Sequence, residues 1–289
     1  MKTNVLIALK NLVESKNTNE LIKFYKKNPN NRANNMGVAL EFFVKDLFCS
    51  TLNVDDFNEK DKIYNEYLSY FGNNNNPPDF ILKQSTAVEV KKIENISFGD
   101  IALNSSYPKD YLYSNSTLIN NKCRHCEDEF GGWYKKDMLY VIGNVMKNKL
   151  KVLWFVDGSC YCADQNVYLN LKEMIHSGIE DISGINFQQT RELGKIKQVD
   201  NSGITNLRIR GMWNIEHPMK VFSDIIGEYD KDSNLYVYCL LLKDKYDLLP
   251  KSDKKELEIH NEVIIKDVKI KNPNDNGKLD AILIKIILN

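Results

Sequence analysis

The fold of this chain depends on residues 77–91, which have the sequence PPDFILKQSTAVEVK, from Pro77 to Lys91. Residues 80–82 and 87–91 are short apolar runs, partly β-branched, with polar residues between them. This pattern predicts two strands of a hairpin. The two prolines hold the chain extended just before the first strand.

The predicted hairpin brings together side chains that can do chemistry. Because side chains alternate along a strand, Glu89 and Lys91 share one face, about 6.6 Å apart, while Val88 and Val90 point into the core. Asp79 begins the first strand. Two carboxylates can hold Mg²⁺ with several of its waters, and a nearby lysine can orient an attacking water. The hairpin therefore predicts a metal-dependent phosphodiesterase.

An alternative interpretation is a solvated hairpin whose outer face carries charges. An aspartate followed about ten residues later by Glu-x-Lys arises by chance in a chain with 27% charged residues. The proline pair, the apolar residues that alternate with Glu89 and Lys91, and a helix just upstream favour the catalytic interpretation.

Composition sets the limits of these hypotheses. The 289 residues suit one large α/β domain or a core with an added subdomain. A net charge of zero gives no overall basicity, although a basic cleft can still bind DNA. With no apolar run of eighteen residues and no signal-peptide pattern, we expect a cytoplasmic protein of a prokaryotic cell.

A central sheet flanked by helices is predicted from the apolar patterns. The expected fold is α/β (α+β), with a mixed central β-sheet. Helices are predicted at 5–13, 21–25, 36–48, 55–71 and 166–175, and further strands at 138–146, 150–156, 235–242, 263–270 and 281–288. We expect residues 1–228 to form the core, with 229–289 as a β-rich extension or subdomain.

The helix at 36–48 has one continuous apolar face, and Glu41 lies at its border. Its apolar residues recur at helical spacing: Met36, Ala39, Leu40, Phe43, Val44, Leu47 and Phe48. Glu41 has two interpretations, a surface carboxylate near the helix start or an additional catalytic acid that reaches the metal from behind the hairpin.

Polar residues follow the catalytic strand. Asn104, Ser105, Ser106 and Lys109 are groups that suit phosphate oxygens, so they are predicted to contact DNA. The alternative is an ordinary polar loop that ends at Pro108.

Two arginines are predicted to read DNA bases. Leu207 and Ile209 alternate with Arg208 and Arg210, so a strand would put both guanidiniums on one face, with Trp213 close by as a further predicted DNA contact. An arginine fork fits the O6 and N7 edge of guanine. The alternative is that both arginines pair with acidic residues on the surface.

Two cysteine pairs, Cys123 with Cys126 and Cys160 with Cys162, suggest a zinc site as a weaker hypothesis. The second pair has C-x-C spacing, and Cys162 follows a strand that can bury it as apolar filler. Reduced thiols are therefore the preferred interpretation of the six cysteines.

Several of these segments together resemble the NgoPII-like type II restriction endonucleases, within the PD-(D/E)xK nuclease superfamily. The resemblance rests on Pro78-Asp79, Glu89-Val90-Lys91 and the segments 103–108 and 207–213, and runs from about Gly37 to about Phe222. It implies a restriction-endonuclease-like core, with a DNA-recognition segment at about 184–222. It also implies a Mg²⁺-dependent homodimer that cuts both strands of a short palindrome, with GGCC as the associated target.

Site roles also follow from the resemblance. Asp79 and Glu89 correspond to the metal ligands and Lys91 to the catalytic lysine, with a metal-binding carbonyl from Val90. We expect 5′-phosphate products and a cognate DNA methyltransferase as genetic partner. Two alternatives stay open: another PD-(D/E)xK repair or structure-specific nuclease, and a non-catalytic DNA-binding module.

Overall fold

The computed structural model describes residues 2–15, 32–94, 97–146, 149–190, 192–230 and 235–288. The predicted helix at 21–25 lies outside these ranges. The helices are α1 (Val5–Glu14), α2 (Arg32–Cys49), α3 (Phe57–Tyr67), α4 (Asn121–Arg124), α5 (Gly158–Tyr161), α6 (Gln165–Glu180), α7 (Pro218–Val221), α8 (Ser223–Ile226), α9 (Lys243–Asp247) and α10 (Lys251–Glu258). None of the helices described is long and apolar enough to cross a membrane.

The strands form one large sheet and two small ones. They are β1 (Leu68–Tyr70), β2 (Phe80–Leu82), β3 (Ala87–Glu94), β4 (Ile101–Asn104), β5 (Tyr111–Tyr113), β6 (Lys135–Met146), β7 (Lys149–Asp157), β8 (Asn186–Gln188), β9 (Gly194–Lys197), β10 (Leu207–Ile209), β11 (Trp213–Ile215), β12 (Leu235–Leu242), β13 (Val263–Lys271) and β14 (Lys278–Leu288). The large sheet has the order β1-β2-β3-β6-β7-β12-β14-β13, and β5 pairs with the start of β6.

The large sheet is mixed, as predicted. β3 runs parallel to β6 and β12 runs parallel to β7, whereas the other neighbours along the sheet are antiparallel. The predicted central pair, 138–146 with 150–156, is confirmed as β6 and β7. The three C-terminal strands are also confirmed, and they continue the same sheet because β12 pairs with β7.

Alternating side chains along the strands supply two cores, one on each face of the sheet. In β7, Leu153 and Phe155 point to one face while Trp154 points to the other. Helices α1, α2 and α10 contribute to the first core. The second core contains residues of β4, α5, α7 and α8. Both faces of the central strands are therefore buried, which explains their nearly continuous apolar sequences.

Helix α2 lies very close to the sheet at Gly143 of β6. A Cβ atom added to Gly143 would lie 2.7 Å from Cδ2 of Leu40. A side chain at this position would force the Leu40 side chain to move, since buried side chains are close-packed. Glu41 is the next residue of this helix after Leu40.

The predicted helix at 55–71 is shorter than expected. It begins at the Asp56 cap, whose side chain accepts from Asn58 N at 2.7 Å, and ends at Tyr67. Residues 68–70 form β1 instead, because Leu68 pairs with Leu82 at the edge of the large sheet. Pairing with a distant strand outweighs local helical preference here.

Candidate active site

The predicted hairpin is confirmed as β2 and β3, with Phe80 opposite Val88. Asp79 N donates to Val88 O at 3.0 Å, which extends the pairing by one residue. The Asp79 side chain reaches two residues further along β3, where its Oδ2 accepts a hydrogen bond from Val90 N at 2.6 Å. Asp79 is thereby held beside the strand that carries Glu89 and Lys91.

Gly72 allows the chain to pass close to Asp79. Its φ is +81°, in the left-handed region, and an added Cβ would lie 2.1 Å from the Asp79 carbonyl oxygen. No larger residue fits this approach without moving the backbone. Gly72 thus helps to fix where the hairpin of β2 and β3 begins.

Glu89 and Lys91 point to the same face of β3, as predicted. Lys91 Nζ lies 2.7 Å from Glu89 Oε1, and the two side chains are 23% and 12% exposed. Glu89 Oε2 is buried and accepts no hydrogen bond from any described residue. A buried carboxylate oxygen without a donor is costly, and a bound cation would compensate it.

The electrostatics of the site favour a cation. Burial, followed by the Glu89 and Glu41 carboxylates, raises the pKa of Asp79 against the opposing effect of Lys91, to about 8. Burial lowers the pKa of Lys91, but Glu89, Asp79 and Glu41 outweigh this and raise it above its ordinary value. Lys91 is therefore protonated, and several acids share its single ammonium group.

Glu41 lies near this cluster, on α2. Its carboxylate influences the pKa of both Asp79 and Lys91. Glu41 Oε1 is held by Lys45 Nζ at 2.7 Å, and the same ammonium donates to Phe71 O at 3.1 Å. The helix therefore presents Glu41 toward the hairpin in a fixed orientation.

The residues present fit a small divalent cation. Mg²⁺ is usually bound by one or two carboxylates and keeps several waters, so a large cage of protein ligands is not required. Among the described residues, no group of three or more His, Cys, Asp or Glu side chains is arranged to hold a metal ion. Asp79 and the unpartnered Glu89 oxygen would supply the smaller ligand set of such a cation.

A groove of about 700 Å³ contains the three hairpin side chains. Its lining combines residues of β3, the segment after it and the arginine segment: Asn73, Asn74, Asn75, Asn76, Pro77, Asp79, Glu89, Lys91, Leu103, Asn104, Ser105, Ser106, Thr117, Leu118, Glu192, Arg208, Arg210, Gly211 and Met212. The predicted DNA contacts at 104–106 therefore line the same groove as the acids.

Strand pairing explains why distant segments meet at the groove. β4 ends at Asn104, which pairs with Trp213 at the start of β11. Asn104 has φ +53°, so the chain turns sharply there and Ser105 and Ser106 follow along the groove. Trp213 itself lines an adjoining cavity of about 250 Å³ and packs edge-on against Tyr168.

Lys109 lies beneath this surface. It is 4% exposed, and its ammonium donates to Ser106 Oγ and, at 2.9 Å, to Tyr107 O. Burial lowers its pKa to about 8. Lys109 therefore contacts the groove lining through Ser106. A contact between Lys109 and DNA stays a prediction.

Arg208 and Arg210 lie on one face together, as the strand pattern predicted. Arg208 is in β10, whereas Arg210 follows it. Both pair with one acid, Glu192, at 2.6 and 2.9 Å. In the structure, which contains no DNA, the arginines thus pair with an acidic residue, as the alternative interpretation expected. The arginine side chains are nevertheless 65% and 61% exposed, so they remain accessible to a ligand.

In the part of the chain that the structure describes, the cysteines are not grouped as a four-thiolate zinc site requires. Cys160 and Cys162 are packed in the second core, as is Cys123, and burial raises the pKa of Cys123 and Cys162 to about 12. All six cysteines are free thiols. The interpretation as apolar filler explains their positions.

Sequence reasoning missed Lys45 and Glu192. An i, i+4 spacing of Glu41 and Lys45 on one helix was an available signal for the first. No sequence signal pointed to Glu192, because it lies in a segment without regular secondary structure. It comes near the arginines only because Leu193 N donates to Ile209 O at 3.3 Å, beside the pairing of β9 with β10.

The chain is similar to known restriction enzymes. The family model described as NgoPII restriction endonuclease matches residues 3–271. The type II restriction enzyme NgoPII of Neisseria gonorrhoeae is 41% identical over 253 residues, which are 86% of this chain and 88% of that protein. The match extends beyond both ends of the resemblance predicted for about 37–222. No solved structure matches the chain.

Proposed function

The chain belongs to the NgoPII restriction endonuclease family, and we propose on this basis that its groove hydrolyses duplex DNA at a short palindrome with Mg²⁺ as cofactor. Family membership makes it a type II restriction enzyme, that is, a site-specific deoxyribonuclease with a restriction-endonuclease-like core. The observation that supports the proposed chemistry is the convergence of Asp79, Glu89 and Lys91 in one groove. We propose GGCC as the target.

Asp79 and Glu89, with the Val90 carbonyl, would hold Mg²⁺ through oxygen atoms. The raised pKa of Asp79 and the unpartnered Glu89 Oε2 support this assignment. When bound, Mg²⁺ supplies Lewis acidity that polarises the scissile phosphate and lowers the pKa of water.

Lys91 orients the attacking water and stabilises negative charge on the phosphate. Its ammonium is held 2.7 Å from Glu89 Oε1, so it is anchored beside the metal ligand. Its raised pKa keeps it protonated, which suits a hydrogen-bond donor to developing charge more than a general base. The water oxygen bonds to phosphorus as the bond between phosphorus and the 3′ oxygen breaks. The attacking water gives up a proton to solvent and the 3′ oxygen takes one up from solvent, which leaves 5′-phosphate and 3′-hydroxyl ends.

Glu41 acts from the side of the cluster. Its carboxylate adds negative charge near Asp79 and Lys91 while Lys45 fixes its orientation. We propose that the negative charge of Glu41 favours cation binding and keeps Lys91 protonated.

The DNA path follows the lining of the groove. The position of Asn104, Ser105 and Ser106 in the groove lining supports the proposal that they contact phosphate, and Lys109 donates to Ser106 Oγ from below. Arg208 and Arg210 are proposed to read guanine, with Trp213 supporting the recognition segment at about 184–222. Residues 1–228 would carry catalysis and recognition, and 229–289 would extend the sheet.

A palindromic target implies two active centres related by two-fold symmetry, so we propose a homodimer. Self-protection of a host genome further implies a cognate DNA methyltransferase with the same target, in the same prokaryotic cytoplasm.

Digestion of plasmid DNA with Mg²⁺, followed by sequencing of the ends, tests the function. Discrete fragments with 5′-phosphate ends and a common palindrome are expected, with no cutting in EDTA. Degradation without a common end sequence would favour another PD-(D/E)xK nuclease. Binding to DNA without nicking would favour a non-catalytic module.

A further inference from the structure

Glu192 connects the arginine segment to the groove wall next to the catalytic strand. Arg208 Nε donates to Oε2 of Glu192 at 2.6 Å, and Arg210 Nε donates to Oε1 at 2.9 Å. Ser105 Oγ donates to the same Oε1 at 3.3 Å. One carboxylate therefore accepts from three side chains on two separate parts of the chain.

The burial of these groups differs sharply. The Glu192 side chain is 12% exposed, whereas those of Arg208 and Arg210 are 65% and 61% exposed. Desolvation alone would raise the pKa of Glu192, but the hydrogen bond and charge of Arg208, together with Arg210, keep it below its usual value. A fixed anion thus lies beneath two accessible cations.

Both arginines use the same nitrogen to contact the carboxylate. Nε is engaged in each case, and no described residue accepts a hydrogen bond from a terminal nitrogen of Arg208 or Arg210. A guanidinium presents its donors as a rigid fork. With Nε occupied, the pair of terminal nitrogens stays available for one bidentate contact, and guanine offers O6 and N7 for such a contact.

We propose that Glu192 is a positioning residue for target recognition, which holds Arg208 and Arg210 by Nε so that their terminal nitrogens face guanine edges. This inference rests on the proposed function, in which the two arginines read guanine. Its energetic basis is pre-organisation, because ordering a free arginine during binding costs side-chain entropy. Ser105 links this arrangement to the groove wall beside the catalytic strand.

The competing explanation makes Glu192 a counter-ion that must be displaced by phosphate. Removing it would then strengthen binding to any duplex. Positioning, in contrast, predicts weaker binding that depends on the guanine edge. The two explanations therefore differ in both sign and base dependence.

Binding assays in Ca²⁺ separate these possibilities. The probes are a duplex of about 20 base pairs with one GGCC, or the palindrome that plasmid digestion identifies, and the same duplex with 7-deazaguanine, which lacks the N7 acceptor. Wild-type protein is expected to bind the modified duplex roughly tenfold more weakly. Glu192→Gln is expected to bind the natural duplex roughly tenfold more weakly and to lose most of its response to 7-deazaguanine.

Controls keep the result interpretable. Glu173→Gln removes an exposed carboxylate of α6 and should behave as wild type. Glu192→Asp retains the charge, but its side chain is too short to reach all three donors, so an intermediate loss of binding affinity is expected. This variant replaces Glu192→Gln in the binding assay if Glu192→Gln has a lowered melting temperature.

Three outcomes would overturn the inference. A full 7-deazaguanine response in both Glu192 variants would show that the arginines need no support from this acid. Equally tighter binding to site and non-site duplexes would assign Glu192 as a counter-ion. A wild-type protein that does not respond to 7-deazaguanine would remove the proposed reading of guanine itself, and this inference with it.

Discussion

Asp79→Asn should stabilise the metal-free protein and should also abolish stabilisation by Mg²⁺. The native state raises the pKa of Asp79 from 3.8 to about 8, mainly through burial and the neighbouring Glu89. The native state therefore binds more protons than the unfolded state, and its stability falls as the pH rises from about 4 to about 8. Asparagine keeps an oxygen that can accept from Val90 N but carries no charge.

The free-energy cost of ionised Asp79 follows from the difference between its pKa values in the native and unfolded states. Each tenfold change in proton binding is about 1.4 kcal/mol, so the ionised Asp79 costs at most about 5 to 6 kcal/mol at pH 8. Relaxation and water entry reduce such penalties, and we expect about 2 to 5 kcal/mol. With an unfolding entropy of about 2.1 cal/mol/K per residue, this is a rise in Tm of about 3 to 8 °C for a chain of this length.

Calorimetry at several pH values provides the assay. In EDTA, the Tm difference between Asp79→Asn and wild type should increase from pH 5 to pH 8. Mg²⁺ should then raise the Tm of wild type and not that of the variant, because binding to the native state alone stabilises it. Asp128→Asn removes an exposed carboxylate and is the control. A Tm difference that does not change with pH, or equal stabilisation of both proteins by Mg²⁺, would refute the reasoning.

The remaining predictions concern catalysis, packing and recognition. Lys91→Ala should lose turnover by at least about a hundredfold yet keep DNA affinity in Ca²⁺; an equal loss of both would indicate a structural lysine. Glu41→Gln should raise the Mg²⁺ concentration required for half-maximal cleavage, because it removes negative charge near the ligands, and an unchanged requirement would contradict this. Gly143→Ala should cost about 1 to 3 kcal/mol in urea unfolding, since Leu40 must move; a change below about 0.5 kcal/mol would be inconsistent with the close approach. Arg208→Ala should cost about 1 to 3 kcal/mol of binding to the target, with little loss on non-target duplex; uniform weakening would reassign it to phosphate.

Local sequence patterns predicted the parts of the site that depend on neighbouring residues. The hairpin of β2 and β3 needs only two short apolar runs and a turn, so its strands and the shared face of Glu89 and Lys91 could be predicted. The helix that carries Glu41 was also evident from its spacing. Both depend on contacts within a few residues along the chain.

Features that depend on distant pairing could not be predicted. β4 pairs with β11, more than a hundred residues later, and this pairing brings Asn104 next to Trp213. The strand β1 forms because Leu68 pairs with Leu82 across the loop that contains the four asparagines. Nothing in the immediate sequence distinguishes these segments from irregular chain.

Burial was another quantity that residue type did not reveal. Lys109 follows a polar segment and was expected to face phosphate, but the fold leaves it 4% exposed under Ser106. Glu192 was a single acid in an irregular segment, and its contacts with Arg208 and Arg210 arise only when β9 and β10 pair. In both cases the environment comes from the tertiary structure.

Cleavage by a Glu89→Gln variant tests the central claim most directly. Glu94→Gln, on the same strand but with a side chain that is 61% exposed, is the matched control. With a duplex that contains one target site and saturating enzyme in Mg²⁺, single-turnover cleavage should be abolished by Glu89→Gln, whereas wild type and Glu94→Gln should cut at equal rates. Cleavage at the wild-type rate by Glu89→Gln would contradict a metal-dependent centre at this hairpin.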